Sequence, residues 1–213
     1  MPKAASVNWW RFSPLQILEK YAARTFDRRH GTDTSSFAEL NTLGIASANK
    51  AHGERYQPSP VHSLRRLLRR LDIDHSTFAF IDFGSGKGRT LLVASELPFK
   101  QVLGVEFGQE LHVQAERNIT LYGPRAAREV VSMHADATQF PLPPDDLVLY
   151  FFNPFGQAVL DEVIANINAS LQAQPRTAIL VYLYLPEQAW LNKLEGFTAP
   201  ARWRNYVVMS HTV

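Results

Sequence analysis

From Phe78 onward, five short apolar runs alternate with stretches of helical periodicity, and this alternation restricts the fold more than any other feature. The runs are Phe78 to Phe83, Gln101 to Phe107, Glu129 to His134, Leu147 to Phe152 and Arg176 to Leu185. Between them, Arg89 to Leu97, Gln109 to Tyr122 and Gln157 to Gln172 read as helices, and Glu187 to Leu194 adds a short one. Strands separated by helices pair in parallel, because a crossover long enough to return the chain is itself a helix. The pattern predicts an α/β fold with a mainly parallel sheet and helices on both faces. Leu147 to Phe152 is almost wholly apolar, which places it at the centre of the sheet. The clearer of two final strand-like pieces is Asn205 to His211.

The first 77 residues have a different character. Leu15, Leu18, Ala22 and Phe26 recur at helical spacing within Pro14 to Arg29. His30 to Asn49 is rich in Thr, Ser, Asn and Gly and reads as an extended loop. A second helix over Ser59 to Leu71 carries four leucines on one face and Arg65, Arg66, Arg69 and Arg70 on the other. The chain is therefore read as one 213-residue domain made of an N-terminal helical cap, 1–77, and a body, 78–213. The cap has net charge +5 and the body −3. An arginine stripe can track phosphates, but no aromatic residue interleaves it, so it reads as a solvated helix face and nucleic acid is not favoured as a partner.

Composition closes other routes. With no cysteine, the chain has no disulfide framework and no Cys-ligated metal site. Its seven histidines show no H-x-x-x-H spacing, so no metal is expected. Neither a signal-type apolar segment at the start nor a run long enough to span a bilayer is present, and a cytoplasmic, membrane-independent protein is expected.

The segment Asp82-Phe83-Gly84-Ser85-Gly86-Lys87-Gly88-Arg89 joins the first strand to its helix. Glycines there let the backbone turn sharply and approach a ligand. Glu106 ends the second strand, where a carboxylate accepts both hydroxyl hydrogens of a ribose. A dinucleotide fingerprint requires G-x-G-x-x-G, whereas here the third glycine comes one residue early. Asp82 also adds negative charge where a pyrophosphate would sit, and suits a cationic amino group instead. Ribose plus ammonium points to S-adenosylmethionine. No G-x-x-x-x-G-K-[ST] is present, which removes the P-loop alternative.

Asp82 to Gly88 resembles the motif I loop of class I S-adenosylmethionine-dependent methyltransferases. Three further stations match in order. Glu106-Phe107 resembles that family's ribose-binding acid and its neighbour. Asp136-Ala137 resembles the pair that contacts adenine, and Asn153-Pro154-Phe155 resembles the motif IV position facing the transferred methyl. In the cap, Tyr56-Gln57-Pro58-Ser59 is similar to a Y-x-P-[ST] element that closes over the methionine end of the cofactor in several subfamilies. The resemblance covers about two thirds of the chain. It implies a three-layer α-β-α Rossmann-like methyltransferase fold with a seven-stranded sheet and an antiparallel last strand. It also implies cofactor contacts from Tyr56, Ser59, Asp82, Gly84, Ser85, Gly86, Gly88, Glu106, Phe107, Asp136 and Ala137.

In methyltransferases acting on amines, the resemblance places an Asn side chain and the next proline's carbonyl as acceptors of hydrogens from the target nitrogen. Asn153 and Pro154 are the expected catalytic residues. The nucleobase signature N-P-P-[YF] is one proline short here, so a protein side chain or small molecule is the expected acceptor. Aromatic residues Trp9, Trp10, Tyr56, Phe155 and Trp190 are the candidates for its pocket. The acceptor itself and the oligomeric state are not encoded in any motif. Two alternatives stay open: a non-catalytic S-adenosylmethionine-binding module, and a nicotinamide-dependent oxidoreductase.

Overall fold

The computed structural model describes residues 14–36, 57–123, 125–184 and 188–212. Trp9, Trp10, Tyr56 and most of the polar loop after His30 lie outside these residues. Seven strands form one sheet: β1 (Phe78–Phe83), β2 (Gln101–Glu106), β3 (Val130–His134), β4 (Asp146–Phe151), β5 (Ala178–Leu183), β6 (Ala201–Trp203) and β7 (Tyr206–His211). Their order is β3-β2-β1-β4-β5-β7-β6. The first five strands pair in parallel, whereas β7 runs antiparallel to both β5 and β6. The sheet is thus mixed, which corrects the expectation of a mainly parallel one. The reason is local: only Arg204 and Asn205 separate β6 from β7, with Arg204 at φ 55°. Two residues allow a hairpin turn and leave no room for a helical crossover.

Two layers of helix cover the sheet. Odd positions of β1, Ala79, Ile81 and Phe83, face a core completed by α5 (Gln157–Ala173) and α6 (Gln188–Leu191). Even positions, Phe78 and Phe80, face the core under α1 (Pro14–His30), α2 (Val61–Leu68) and α3 (Arg89–Ala94). Helix α4 (Gln109–Leu121) packs on β3 and β2. All six residues of β1 and of β5 are buried, as strands covered on both faces must be. Trp190, proposed from sequence for an acceptor pocket, is 1% exposed and packs edge-on to Phe151 and Tyr182.

The described parts of the N-terminal third share this core. Leu64, Leu67 and Leu68 of α2 are buried with Phe80 and Tyr150, and Phe26 of α1 stacks on Tyr122. Arg66, Arg69 and Arg70 are exposed as expected, but Arg65 is only partly exposed. Its Nε and Nη2 donate to both oxygens of Glu96, which also accepts from the Tyr122 hydroxyl at 2.5 Å. At the end of the stripe, the Arg70 guanidinium lies 5.9 Å from the Trp203 ring centroid. No helix among the described residues is long and apolar enough to cross a membrane.

The order of the strands creates the site. From β1 the chain moves outward through β2 and β3, then crosses back to β4 on the other side. The loops after β1 and β4 therefore diverge, opening a crevice at the carboxyl ends of the strands.

Candidate active site

A cavity of about 530 Å³ opens at this switch point. Its floor is the loop after β1. Gly84, Gly86 and Gly88 have φ of 78°, 54° and 80°, a region costly for residues with a side chain. The loop is tied to β2, because the N–H groups of Gly84 and Ser85 both donate to the Val105 carbonyl, at 2.9 and 3.1 Å. Gly104 makes room for it: a Cβ there would lie 2.6 Å from the Ser85 hydroxyl.

Two carboxylates flank the loop, each 3% exposed. Glu106 accepts from the N–H of Gly86 through Oε2 and of Gly108 through Oε1, both at 2.8 Å. Burial pushes its carboxyl up, and these two N–H groups and His134 oppose the shift. Asp82 is pushed up to about 8, chiefly by burial and secondarily by the Glu106 charge, while the Thr90 hydroxyl works against the shift. A carboxyl so placed favours a positive charge brought beside it.

Helix α3 contributes Thr90, which donates to the Ser59 hydroxyl at 3.0 Å. That hydroxyl in turn lies 3.0 Å from the Tyr150 hydroxyl. This buried relay fixes the extended segment Gln57–Pro60 against the body. Across the cavity, Asn153 follows β4 with φ 43°, a conformation asparagine tolerates. Its Oδ1 accepts from the Tyr182 hydroxyl at 3.4 Å. Pro154 closes directly on Gly84, where a Cβ would lie 2.6 Å from the proline's own.

Of the residues singled out from sequence, Ser59, Asp82, Gly84, Ser85, Gly86, Glu106, Phe107, Asn153 and Pro154 line this cavity. Gly88 does not; it starts α3 with Ala115 packed beneath it. Asp136 and Ala137 do not line it either. The Asp136 Oδ1 caps a short helical turn by accepting from the N–H and hydroxyl of Thr138, and Ala137 is buried in the core. Tyr56 lies outside the described residues. The structure adds Ser35, Ser36, Gln57, Pro58, Arg89, Thr90, Leu111 and Phe152 to the wall. Gln57 and Pro58 sit inside a motif visible in the sequence. Ser35 and Ser36 carry no such signal.

Neither a family model nor a curated protein matches the chain. Solved structures do. A ribosomal protein L11 methylase from Lactobacillus delbrueckii subsp. bulgaricus aligns with TM-score 0.50 at 19% identity, over 73% of this chain and 79% of that one. A methyltransferase-like protein from Silicibacter pomeroyi gives 0.50 at 14%, over 75% and 89%. A protein from Pyrococcus horikoshii OT3 gives 0.52 at 15%, over 81% and 94%. The chain has the class I methyltransferase fold. On that fold the cavity lies at the carboxyl ends of β1, β2 and β4, and the loop, the two acids and Asn153-Pro154 meet there although 70 residues separate Asp82 from Asn153.

Proposed function

We propose that the protein is an S-adenosylmethionine-dependent methyltransferase whose acceptor atom is a nitrogen of a protein side chain or small molecule. The observation that carries this reading is the meeting of Asp82 and Glu106, both deeply buried, on either side of the glycine loop in one cavity. Glu106 keeps a further lone pair on each oxygen beyond its two N–H donors, and Asp82 carries charge readily only beside a cation, so a ligand bearing a ribose and an ammonium suits both. The cavity volume also falls within the range of about 300–1,000 Å³ usual for cofactor sites.

When bound, S-adenosylmethionine supplies a methyl group already activated by its sulfonium. What remains for the protein is placement. Asp82 holds the ammonium and Glu106 the ribose hydroxyls, while Gly84, Ser85 and Gly86 let the backbone come close. Phe107 and Leu111 offer apolar surface on the β2 side. Asp136 and Ala137, proposed for the adenine end, follow β3 beyond the wall of this cavity. Asn153 Oδ1 has two lone pairs; Tyr182 engages one, and the other suits a hydrogen on the acceptor nitrogen.

The test has two stages. Thermal shifts with S-adenosylmethionine, S-adenosylhomocysteine and NAD are expected to show stabilisation by the first two, about 2.7 kcal/mol at 100 times Kd. Stabilisation by NAD alone overturns the reading in favour of an oxidoreductase. Labelled methyl transfer into a matched cell extract is then expected to fall about 100-fold in Asn153→Ala, with S-adenosylhomocysteine binding unchanged. Binding without any labelled acceptor identifies a non-catalytic module, and label found only on oxygen or carbon removes the nitrogen assignment.

A further inference from the structure

Residues 27–36 were legible only as the end of a helix and the start of a polar loop. Helix α1 ends at His30, and Gly31 at φ 69° reverses the chain, with the Thr32 N–H donating to the Asp27 carbonyl at 3.1 Å. The reversal brings three hydroxyls back onto the Asp27 carboxylate. Oδ1 accepts from Thr32 Oγ1 at 2.8 Å, Thr34 Oγ1 at 2.7 Å and the Thr34 N–H at 3.0 Å, and Oδ2 accepts from Ser35 Oγ at 2.5 Å. Burial acts to raise this carboxyl, but the Ser35, Thr34 and Thr32 donors outweigh it and hold it below its ordinary range.

The body grips this segment at three points. Arg89, only 2% exposed, donates Nε to Thr34 Oγ1 at 2.7 Å, and its Nη2 reaches Asp27 Oδ2 at 3.5 Å and the Ser35 hydroxyl. Lys87 donates Nζ to Asp33 Oδ2 at 3.2 Å and to the Ser36 hydroxyl. Asn118, fully buried, accepts from the Asp33 N–H at 2.8 Å and donates to the carbonyls of Asp33 and Lys87, both at 2.9 Å. Both cations belong to the glycine loop and the first turn after it. The segment is therefore fastened to the part of the body that must hold its shape around a ligand.

Ser35 and Ser36 line the same cavity as Asp82 and Glu106. Each of their hydroxyls donates to an aspartate, Asp27 or Asp33, and accepts from a cation, Arg89 or Lys87. Among the described residues, a hydroxyl in that arrangement has one lone pair left and no proton, so toward the cavity these serines act as acceptors. Their wall offers hydroxyl acceptors to a donor group, with the charges of Arg89 and Lys87 behind them offset by Asp27 and Asp33.

We propose that residues 27–36 form a strap belonging to the ligand site, latched by Asp27–Arg89 and Asp33–Lys87, and that it holds the glycine loop and presents acceptors to the ligand's ammonium end. Asp27 and Thr34 are positioning residues: neither lines the cavity, and both act through Arg89 and Ser35. The assignment of the ammonium rests on the methyltransferase reading above. The fastening of strap to loop does not.

The experiment titrates S-adenosylhomocysteine by calorimetry and follows amide hydrogen exchange in the full chain, comparing wild type with Asp27→Asn and Thr34→Val. Both variants are expected to raise Kd about tenfold and to speed exchange in 31–36 and 86–90. Glu96→Gln, which weakens the Arg65 anchor on α2 away from the cavity, is the stability control and is expected to leave Kd within twofold. Should Asp27→Asn fail to fold, Thr34→Val carries the comparison. Unchanged Kd in Thr34→Val, or an equal rise in Glu96→Gln, overturns the proposal. A wild type that binds no S-adenosylhomocysteine refutes the function proposed above; exchange in the ligand-free variants then decides, and a glycine loop no faster than wild type overturns the strap.

Discussion

Asp82→Asn is expected to raise the melting temperature of the ligand-free protein at pH 8.5 while weakening S-adenosylmethionine binding about 100-fold. The two effects have one cause. Burial holds the Asp82 carboxyl at about 8, against an ordinary 3.8. Between those values the folded chain keeps a proton that the unfolded chain has released, so stability falls as pH rises through the window and the loss is complete above about 8. An asparagine amide has no proton to lose, and its variant escapes this contribution. The melting temperature of the wild type between pH 5 and 9 should therefore fall more steeply than that of the variant. Parallel curves would show that Asp82 ionises freely. Ligand reverses the balance, because an ammonium beside Asp82 favours the carboxylate and binding near neutrality releases a proton. Calorimetry in two buffers of different ionisation enthalpy reads that proton directly. The variant lacks a charge-assisted hydrogen bond worth roughly 1.5–3 kcal/mol, which accounts for the loss of affinity. A residue that destabilises the empty fold and is needed by the filled one marks a site built for its ligand.

The parts of this architecture that can be read from sequence depend on short-range pattern. Strand β1 is apolar at every position but Asp82, and its loop has three glycines in five residues. Such local signals survive without knowledge of neighbours. Glu106 was legible because it ends the next strand, so β-α-β connectivity alone brings it to the loop. The rest needed tertiary contacts. Asp27 looks like one more charge on an amphipathic helix until the chain reverses at Gly31 and returns three hydroxyls to it. Arg65 falls on the polar face of α2 by periodicity, yet Glu96 from another element pairs with it and leaves its side chain only 32% exposed. Asp136 stands at the position where the family places an adenine contact, and the cap its Oδ1 also forms on Thr138 needed the fold to be seen. At the sheet's edge, β6 is three residues long and largely exposed, too short for periodicity to give its direction.

Gly84→Ala is expected to cost about 2–5 kcal/mol of stability and to lower methyl transfer about 100-fold. The backbone contribution comes from φ 78°, which a side chain makes unfavourable by about 1–2 kcal/mol. The packing contribution comes from Pro154, whose Cβ would lie 2.6 Å from the new one and whose Cα would lie at 3.5 Å. Relief by side-chain rotation is closed, because the contacting atom belongs to a proline ring next to its own backbone. Either the loop or the Asn153-Pro154 segment must move, and such overpacking adds about 1–3 kcal/mol. Moving either one separates the cofactor floor from the residue proposed to hold the acceptor, and a misplacement of about 1 Å suffices for a 100-fold loss in rate. Gly123 supplies the comparison. At φ 82° it has the same backbone preference, but a Cβ there meets nothing within 4 Å among the described residues. Gly123→Ala should lose only the backbone part, about 1–2 kcal/mol, and keep full turnover. Urea unfolding and labelled methyl transfer on the two variants separate the contributions. Equal stability losses with turnover intact in both would mean that Gly84 serves only the turn, and that the contact between the glycine loop and Pro154 does not align the reaction.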